Sequence, residues 1–169
     1  KIDPNAWLHP CDASSDEDLD GLFEAYRERF DRMDFLVHSI AFAEREWLQP
    51  GMFSRTPRQA YLQAIDISAY TLAAMADRAR RMMPAGGSIM CMSYYGGEKV
   101  VPGYNVMGVA KAALECTARY LASELGEAGI RVNTISGGYL RTLASSAVGG
   151  TDVFDEHANQ RSPDRKSVV

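Results

Sequence analysis

The feature that most constrains the fold is the regular switching of hydrophobic period along the chain. Leu19, Leu22, Phe23, Tyr26 and Phe30 recur at helical spacing, and Ser14 followed by Glu17 has the pattern of a capping box, predicting a helix over 15–30. Phe35 to Ile40 is a nearly continuous apolar run of strand length. From Pro57 to Met83 the residues Leu62, Ile65, Ala69, Leu72, Ala76, Ala79 and Met83 step by three and four, predicting one long helix, with Arg78, Arg80 and Arg81 at its cation-favouring carboxyl end. Gly86-Gly87 closes it, Ser88 to Met92 reads as a strand, a helix is predicted over 104–124, and Ile130 to Ile135 reads as a further strand. Ahead of all these, Trp7 to Asp12 is a short apolar run whose Pro10 would confine it to a sheet edge.

Strands alternating with helices need crossover connections, and crossovers make parallel sheets. The expected fold is therefore α/β, a doubly wound parallel sheet with helices on both faces. Ligands in such sheets lie at the carboxyl ends of the strands. The segments leaving those ends are Asp12 to Ser14, Ser39 to Glu46, Ser93 to Gly103 and Ser136 to Thr142.

At 169 residues one domain is the default. A net charge of −4 lacks the basic excess of a nucleic-acid groove. The longest charge-free stretches, such as Pro84 to Gly97, fall short of the roughly 20 apolar residues that span a bilayer. The first residues do not have the pattern of a secretory signal, and Cys11, Cys91 and Cys116 are odd in number and widely spaced, which fits a reducing cytoplasm. His9, His38 and His157 form no metal-ligand pattern with them, so no metal is expected. His38 reads as a core histidine rather than a catalyst. The tail over 148–169 reads as loop with one short helix.

Tyr104 and Lys111 carry the most chemistry. Seven residues apart, they share one helix face about 10 Å apart along the axis, a gap the lysine stem narrows. An ammonium near a phenol lowers the phenol's pKa and makes it better able to polarise a carbonyl. The same spacing also suits a solvated stripe of Lys111, Glu115 and Arg119 with Tyr104 merely at a helix start.

The surrounding residues narrow the choice. Val37-His38-Ser39-Ile40-Ala41-Phe42-Ala43, Ser93-Tyr94, Glu98 to Pro102, Tyr104 to Lys111 and Arg141-Thr142-Leu143-Ala144 closely resemble the NADH-dependent enoyl-acyl-carrier-protein reductases, a branch of the short-chain dehydrogenase/reductase superfamily. The resemblance runs from Cys11 to Ser146 and more loosely to Val168. The tyrosine, six residues, lysine spacing is particular to this branch; ordinary members of the superfamily place the lysine four after the tyrosine, where this chain has Gly108.

The resemblance implies a Rossmann-like sheet and reduction of the trans-2 double bond of an enoyl thioester carried by acyl carrier protein, with NADH as cofactor, in a homotetramer. It assigns Tyr104 to the thioester carbonyl, Lys111 to the nicotinamide ribose, and Tyr94 to the second active-site tyrosine. Asp12 and Ala13 would flank the adenine, Ser39, Ile40 and Ala41 would pass under the nicotinamide, and Ala43 would line the substrate side. Leu140, Arg141, Thr142, Leu143 and Ala144 would contact the nicotinamide amide and begin the substrate loop. A carboxylate at a helix amino terminus is the other reading of Asp12.

On the same match the chain corresponds to an interior stretch of a longer reductase, a single incomplete domain over 1–169. Trp7 to Asp12 would be the third strand of the family's sheet, with the first two strands and the last outside the chain, leaving unpaired backbone along Val37. Tyr139 stands where the family usually has a proline, and Asp152, Asp155 and Glu156 lie where basic residues would meet an acidic carrier, with Arg161, Arg165 and Lys166 the alternative positive patch. Two other readings remain: a carbonyl or 3-oxoacyl reductase of the same superfamily, against which Gly108 argues, and a non-catalytic assembly whose long apolar helices serve oligomerisation.

Overall fold

The computed structural model describes residue 3 and residues 5–138. Helix α1 (Asp16–Arg29) precedes strand β1 (Phe35–His38); α2 (Arg58–Ile65) and α3 (Thr71–Arg80) precede β2 (Gly87–Tyr94); and α4 (Asn105–Leu125) precedes β3 (Ile130–Gly137). The three strands are all parallel in the order β1-β2-β3, with Val37 opposite Met90 and Cys91 opposite Thr134. The expected parallel α/β architecture is thus present.

One side of the sheet carries the core. Leu19 and Phe23 of α1, Leu72, Ala76 and Ala79 of α3, and Leu114 and Ala118 of α4 join Ile89, Cys91, Ile130 and Val132 in a single buried cluster. The side chains that alternate with these on the strands point the other way, as the twofold period of a strand requires. Phe35 is 63% exposed, Val37 46% and Ile135 44%, so among the described residues the helices cover one face and leave an apolar face bare. Of the methionines, Met75, Met82 and Met83 are core, whereas Met90 and Met92 lie half-buried on strand β2.

Three expectations are corrected. Trp7 to Asp12 is extended chain rather than a strand, because a strand needs a hydrogen-bonded neighbour and β1 pairs only with β2 among the described residues. Ring contacts hold the segment instead: Trp7 lies 5.9 Å from Tyr26 and 6.0 Å from Phe30, both edge-on. The cap of α1 is Ser15, one residue later than the capping-box pattern placed it, since its Oγ accepts from the Asp18 amide at 3.1 Å. The long second helix is interrupted by a π-turn over Asp66–Tyr70, which advances the buried face by one position, from Ala64 to Ala69. Leu62, in phase with an unbroken helix, is consequently 58% exposed. Of the terminal arginines, Arg78 acts through a tertiary contact: its guanidinium reaches Asp20 at 2.7 Å and Asp16 at 3.2 Å, tying α3 to α1.

The starts of β2 and β3 approach unusually closely. Gly86 and Gly129 both have left-handed backbones, and a Cβ at Gly86 would stand 2.6 Å from the Gly129 carbonyl oxygen. That oxygen accepts from the Gly87 amide at 3.2 Å, which starts the parallel ladder.

Leu114 is fully buried between α4 and the sheet, whereas Leu62 is on the surface. Leu114→Ala is expected to cost about 3 kcal/mol in urea unfolding and Leu62→Ala under about 1 kcal/mol.

Candidate active site

The carboxyl end of β2 runs directly into the site. Tyr94 is its last residue, and Tyr104 stands at the start of α4, with their ring centroids 5.0 Å apart in an edge-to-face pair. Burial, with Tyr94 beside it, pushes the Tyr104 phenol up from its ordinary value. The sequence-based expectation was the reverse, a phenol lowered by Lys111. Desolvation wins because Tyr104 packs onto the small apolar cluster of Leu48, Ala64, Val106, Met107 and Ala110. Tyr104 is therefore a neutral hydroxyl at working pH, suited to donating a hydrogen bond rather than carrying charge.

Lys111 is 7% exposed, far from the solvated stripe that spacing also allowed. Its ammonium donates to the Met92 carbonyl at 2.6 Å, and burial lowers its pKa while Cys91 and Glu115 oppose the shift. One helical turn on, the Glu115 carboxylate accepts a short hydrogen bond from Ser93 Oγ, joining the end of β2 to α4 directly beside Tyr94.

Loop 39–43, which follows β1, is held from below by the π-turn. Ser68 Oγ accepts from the Phe42 amide at 3.0 Å and donates to the Phe42 carbonyl at 3.2 Å. Thr71 Oγ1 lies 2.7 Å from His38 Nε2 and donates to the Ile67 carbonyl at 2.7 Å. Ser39 and Ala41 are exposed on this loop, while Ile40 packs on the main core and Ala43 on the same small cluster as Tyr104. Ala43, Tyr94, Tyr104 and Lys111 are thus gathered around the β2–α4 junction.

Asp12 and Ala13 stand apart, in the turn that enters α1. The Asp12 carboxylate accepts from the Ser14 amide at 2.9 Å and the Ser14 hydroxyl at 2.7 Å, and these bonds hold its pKa below the ordinary value. These bonds close a turn just ahead of α1, whose cap is Ser15. Leu140, Arg141, Thr142, Leu143 and Ala144 lie outside the described residues, as do Tyr139 and the tail over 148–169.

Asn105 escaped sequence reasoning. Asn105 has a left-handed backbone with φ 44°, and its side-chain amide donates to the Trp47 and Gln49 carbonyls, both at 2.7 Å. It thereby pins the 45–50 loop to the start of α4. A cleft of about 630 Å³ opens beside it, between Pro50–Phe53, the loop Gly96–Gly103 and the outer side of Tyr104. The readable hint was the Tyr-Asn pair itself, because asparagine is among the few residues that tolerate a left-handed backbone.

The chain thus presents a parallel α/β sheet of Rossmann-like type with a tyrosine pair and a buried lysine at the carboxyl end of its middle strand. Residues 1–169 match the family described as Enoyl-(Acyl carrier protein) reductase, and the chain belongs to that family. It is 48% identical over 168 residues to the enoyl-[acyl-carrier-protein] reductase [NADH] FabI of Nostoc sp., covering 99% of this chain and 64% of that protein. It is 46% identical to the enoyl-[acyl-carrier-protein] reductase [NADPH] FabI of Staphylococcus aureus, covering 98% of this chain and again 64% of the relative. Among solved structures, the Bacillus cereus enoyl-acyl carrier protein reductase with NADP+ and indole naphthyridinone superposes with a TM-score of 0.91 at 42% identity, covering 98% of this chain and 64% of that one. The Anaplasma phagocytophilum enzyme in complex with NAD superposes with a TM-score of 0.86 at 44% identity, over 93% and 60% of the two chains. The chain therefore spans just under two thirds of the length of these relatives.

Burial, with the Lys111 charge adding to it, lowers the His38 pKa from 6.5 to about 4. A histidine that binds its proton less tightly when folded contributes stability in full above pH 6.5 and loses it as pH falls toward 4. His38 is therefore expected to remove about 3 kcal/mol between pH 7 and pH 4. Urea unfolding across that range should show this slope in the parent chain and its loss in His38→Gln.

Proposed function

We propose that this chain carries the substrate-side chemistry of an enoyl reductase, which reduces the trans-2 double bond of an enoyl thioester presented by acyl carrier protein in fatty-acid synthesis. The observation that carries the reading is the Tyr94–Tyr104 pair with Lys111 held against the Met92 carbonyl behind it. A neutral, largely desolvated tyrosine hydroxyl is the group that stabilises negative charge developing on a thioester carbonyl as the double bond is reduced, because a donor fixed in a low-dielectric pocket strengthens as charge appears.

The residues present fit a nicotinamide dinucleotide at its nicotinamide end. An ammonium has three N–H donors, and Lys111 commits one of them to Met92, leaving two for the diol of a ribose. Ser39 and Ala41 are exposed on the loop after β1, which Ser68 holds through Phe42. When bound, the reduced nicotinamide supplies the hydride equivalent that the β-carbon of the enoyl thioester accepts. Lys111 would orient the ribose, Tyr104 would hold the thioester oxygen, Ala43 and Tyr94 would shape the acyl side, and the enolate would take a proton from solvent water at its α-carbon to complete the reduction.

NADH is the donor we propose in preference to NADPH, on the strength of the resemblance and of the name of the Nostoc relative; the Staphylococcus aureus relative makes this a question for measurement. Asp12 and Ala13 at the adenine, Leu140 to Ala144 at the amide and substrate loop, a homotetramer, and a cytoplasmic location complete the proposal. Among the described residues no helix is long and apolar enough to cross a membrane, and no three His, Cys, Asp or Glu side chains gather as a metal site. A 3-oxoacyl reductase is disfavoured by position 108, where a lysine would meet the Gly96 carbonyl.

Oxidation of NADH dependent on a trans-2-enoyl thioester tests the reading. Tyr104→Phe is expected to lower kcat by about 100-fold or more with cofactor affinity retained. Turnover within a few-fold of the parent would remove Tyr104 from its role. Because Tyr104 stays neutral, its ionisation should leave no mark on the pH–rate profile below about pH 10.

A further inference from the structure

Tyr95–Gly97 forms a single turn at the end of β2 that lies across α4, and it touches the helix through three glycines. A Cβ built on Gly96 would stand 2.8 Å from Cε1 of the Tyr104 ring and closer still to Cδ1. One built on Gly108 would stand 2.7 Å from the Gly96 carbonyl oxygen. One on Gly97 would meet Glu115 Oε1 at 2.8 Å and the Ala112 amide at 3.2 Å. None of the three has a left-handed backbone, so glycine serves here for space and not for conformation, most strictly at Gly96 and Gly108, where the obstacle is a ring and a backbone carbonyl.

The contacts run in helical order, with Gly96 on Tyr104 and Gly108 and Gly97 on Ala112. The turn therefore occupies the surface of α4 between the tyrosine and the lysine. A side chain four residues after Tyr104 would project into the backbone of that turn, and the next position on the same face is Lys111.

We infer that Gly96, Gly97 and Gly108 form a side-chain-free seat that fixes the Tyr104 ring against Tyr94 and reserves the helical turn between Tyr104 and Lys111 for backbone, which makes Gly96 a positioning residue for Tyr104. The kinetic part of this inference rests on the enoyl-reductase reading; the structural part does not.

The test is a double-mutant cycle with a spectroscopic readout. Gly96→Ala is expected to lower the melting temperature by about 4 °C or more, and Tyr104→Ala, which empties the contested space, should abolish most of that loss. Gly21→Ala, where nothing lies within 4 Å of the added methyl, is the control and should cause no loss. In the chain labelled at tyrosine, Gly96→Ala should shift the ring resonances of Tyr94 and Tyr104 together, and Gly21→Ala should move neither. With an enoyl thioester, Gly96→Ala should lower kcat about 10-fold or more while KM for the cofactor stays near that of the parent.

An equal loss of stability in both backgrounds, or unchanged tyrosine resonances with parental kcat, would overturn the seat. Should Gly96→Ala fail to fold, recovery of folding in the double variant supports it and continued failure overturns it. A parent that reduces no enoyl thioester would fell the functional reading alone, since the cycle and the resonances judge the seat without turnover.

Discussion

The seating of α4 on the sheet, over both β2 and β3, governs the arrangement of the site. Leu114 and Ala118 bury the helix against Ile89, Ile130 and Val132, and that packing sets how close the two elements can come. At the site end their separation is fixed by shorter bonds. Lys111 reaches back to the Met92 carbonyl, Glu115 takes the Ser93 hydroxyl, and the turn after Tyr94 settles onto glycines. A charge as poorly solvated as Lys111 is tolerable only with such partners, because an unpaired buried ammonium is far costlier than one held by a carbonyl and near a carboxylate. The apolar contact thus places the polar one, and the polar one holds the tyrosines.

The second layer of support comes from the π-turn. An ordinary helix over 58–80 would present Ser68 and Thr71 on a different arc. The extra residue turns both hydroxyls toward β1, where they hold the Phe42 backbone and the His38 ring. His38 Nδ1 stays buried without a hydrogen-bond partner among the described residues. Its neutrality follows, since a second proton would place a cation in the same low-dielectric region as Lys111.

Much of the fold was legible in the sequence because it depends on period. The switches between 3.6 and 2 located three strands and the main helices, and the interval from Tyr104 to Lys111 located the site. What was not legible depends on partners distant in sequence. Trp7 to Asp12 has a strand's composition, but strands are made by neighbours. The capping pattern at Ser14 and Glu17 is matched one residue later by Ser15 and Asp18, and only the backbone path decides between them. Asp66 to Tyr70 continues the apolar steps of its helix and gives no sign of the added residue. The Tyr104 phenol was misjudged for a related reason: a nearby cation can be read from spacing, but desolvation by Leu48 and Ala64 cannot.

The glycine seat also bears on the spacing of tyrosine and lysine. Within the superfamily this chain resembles, two intervals between tyrosine and lysine recur, and exchanging one for the other looks like moving a single basic side chain by three positions. Here the position to be filled, Gly108, is covered by the Gly96 carbonyl. A side chain at that position would need the 95–97 turn to lift from its helix. The two intervals therefore differ by the path of a loop as well as by the place of one side chain.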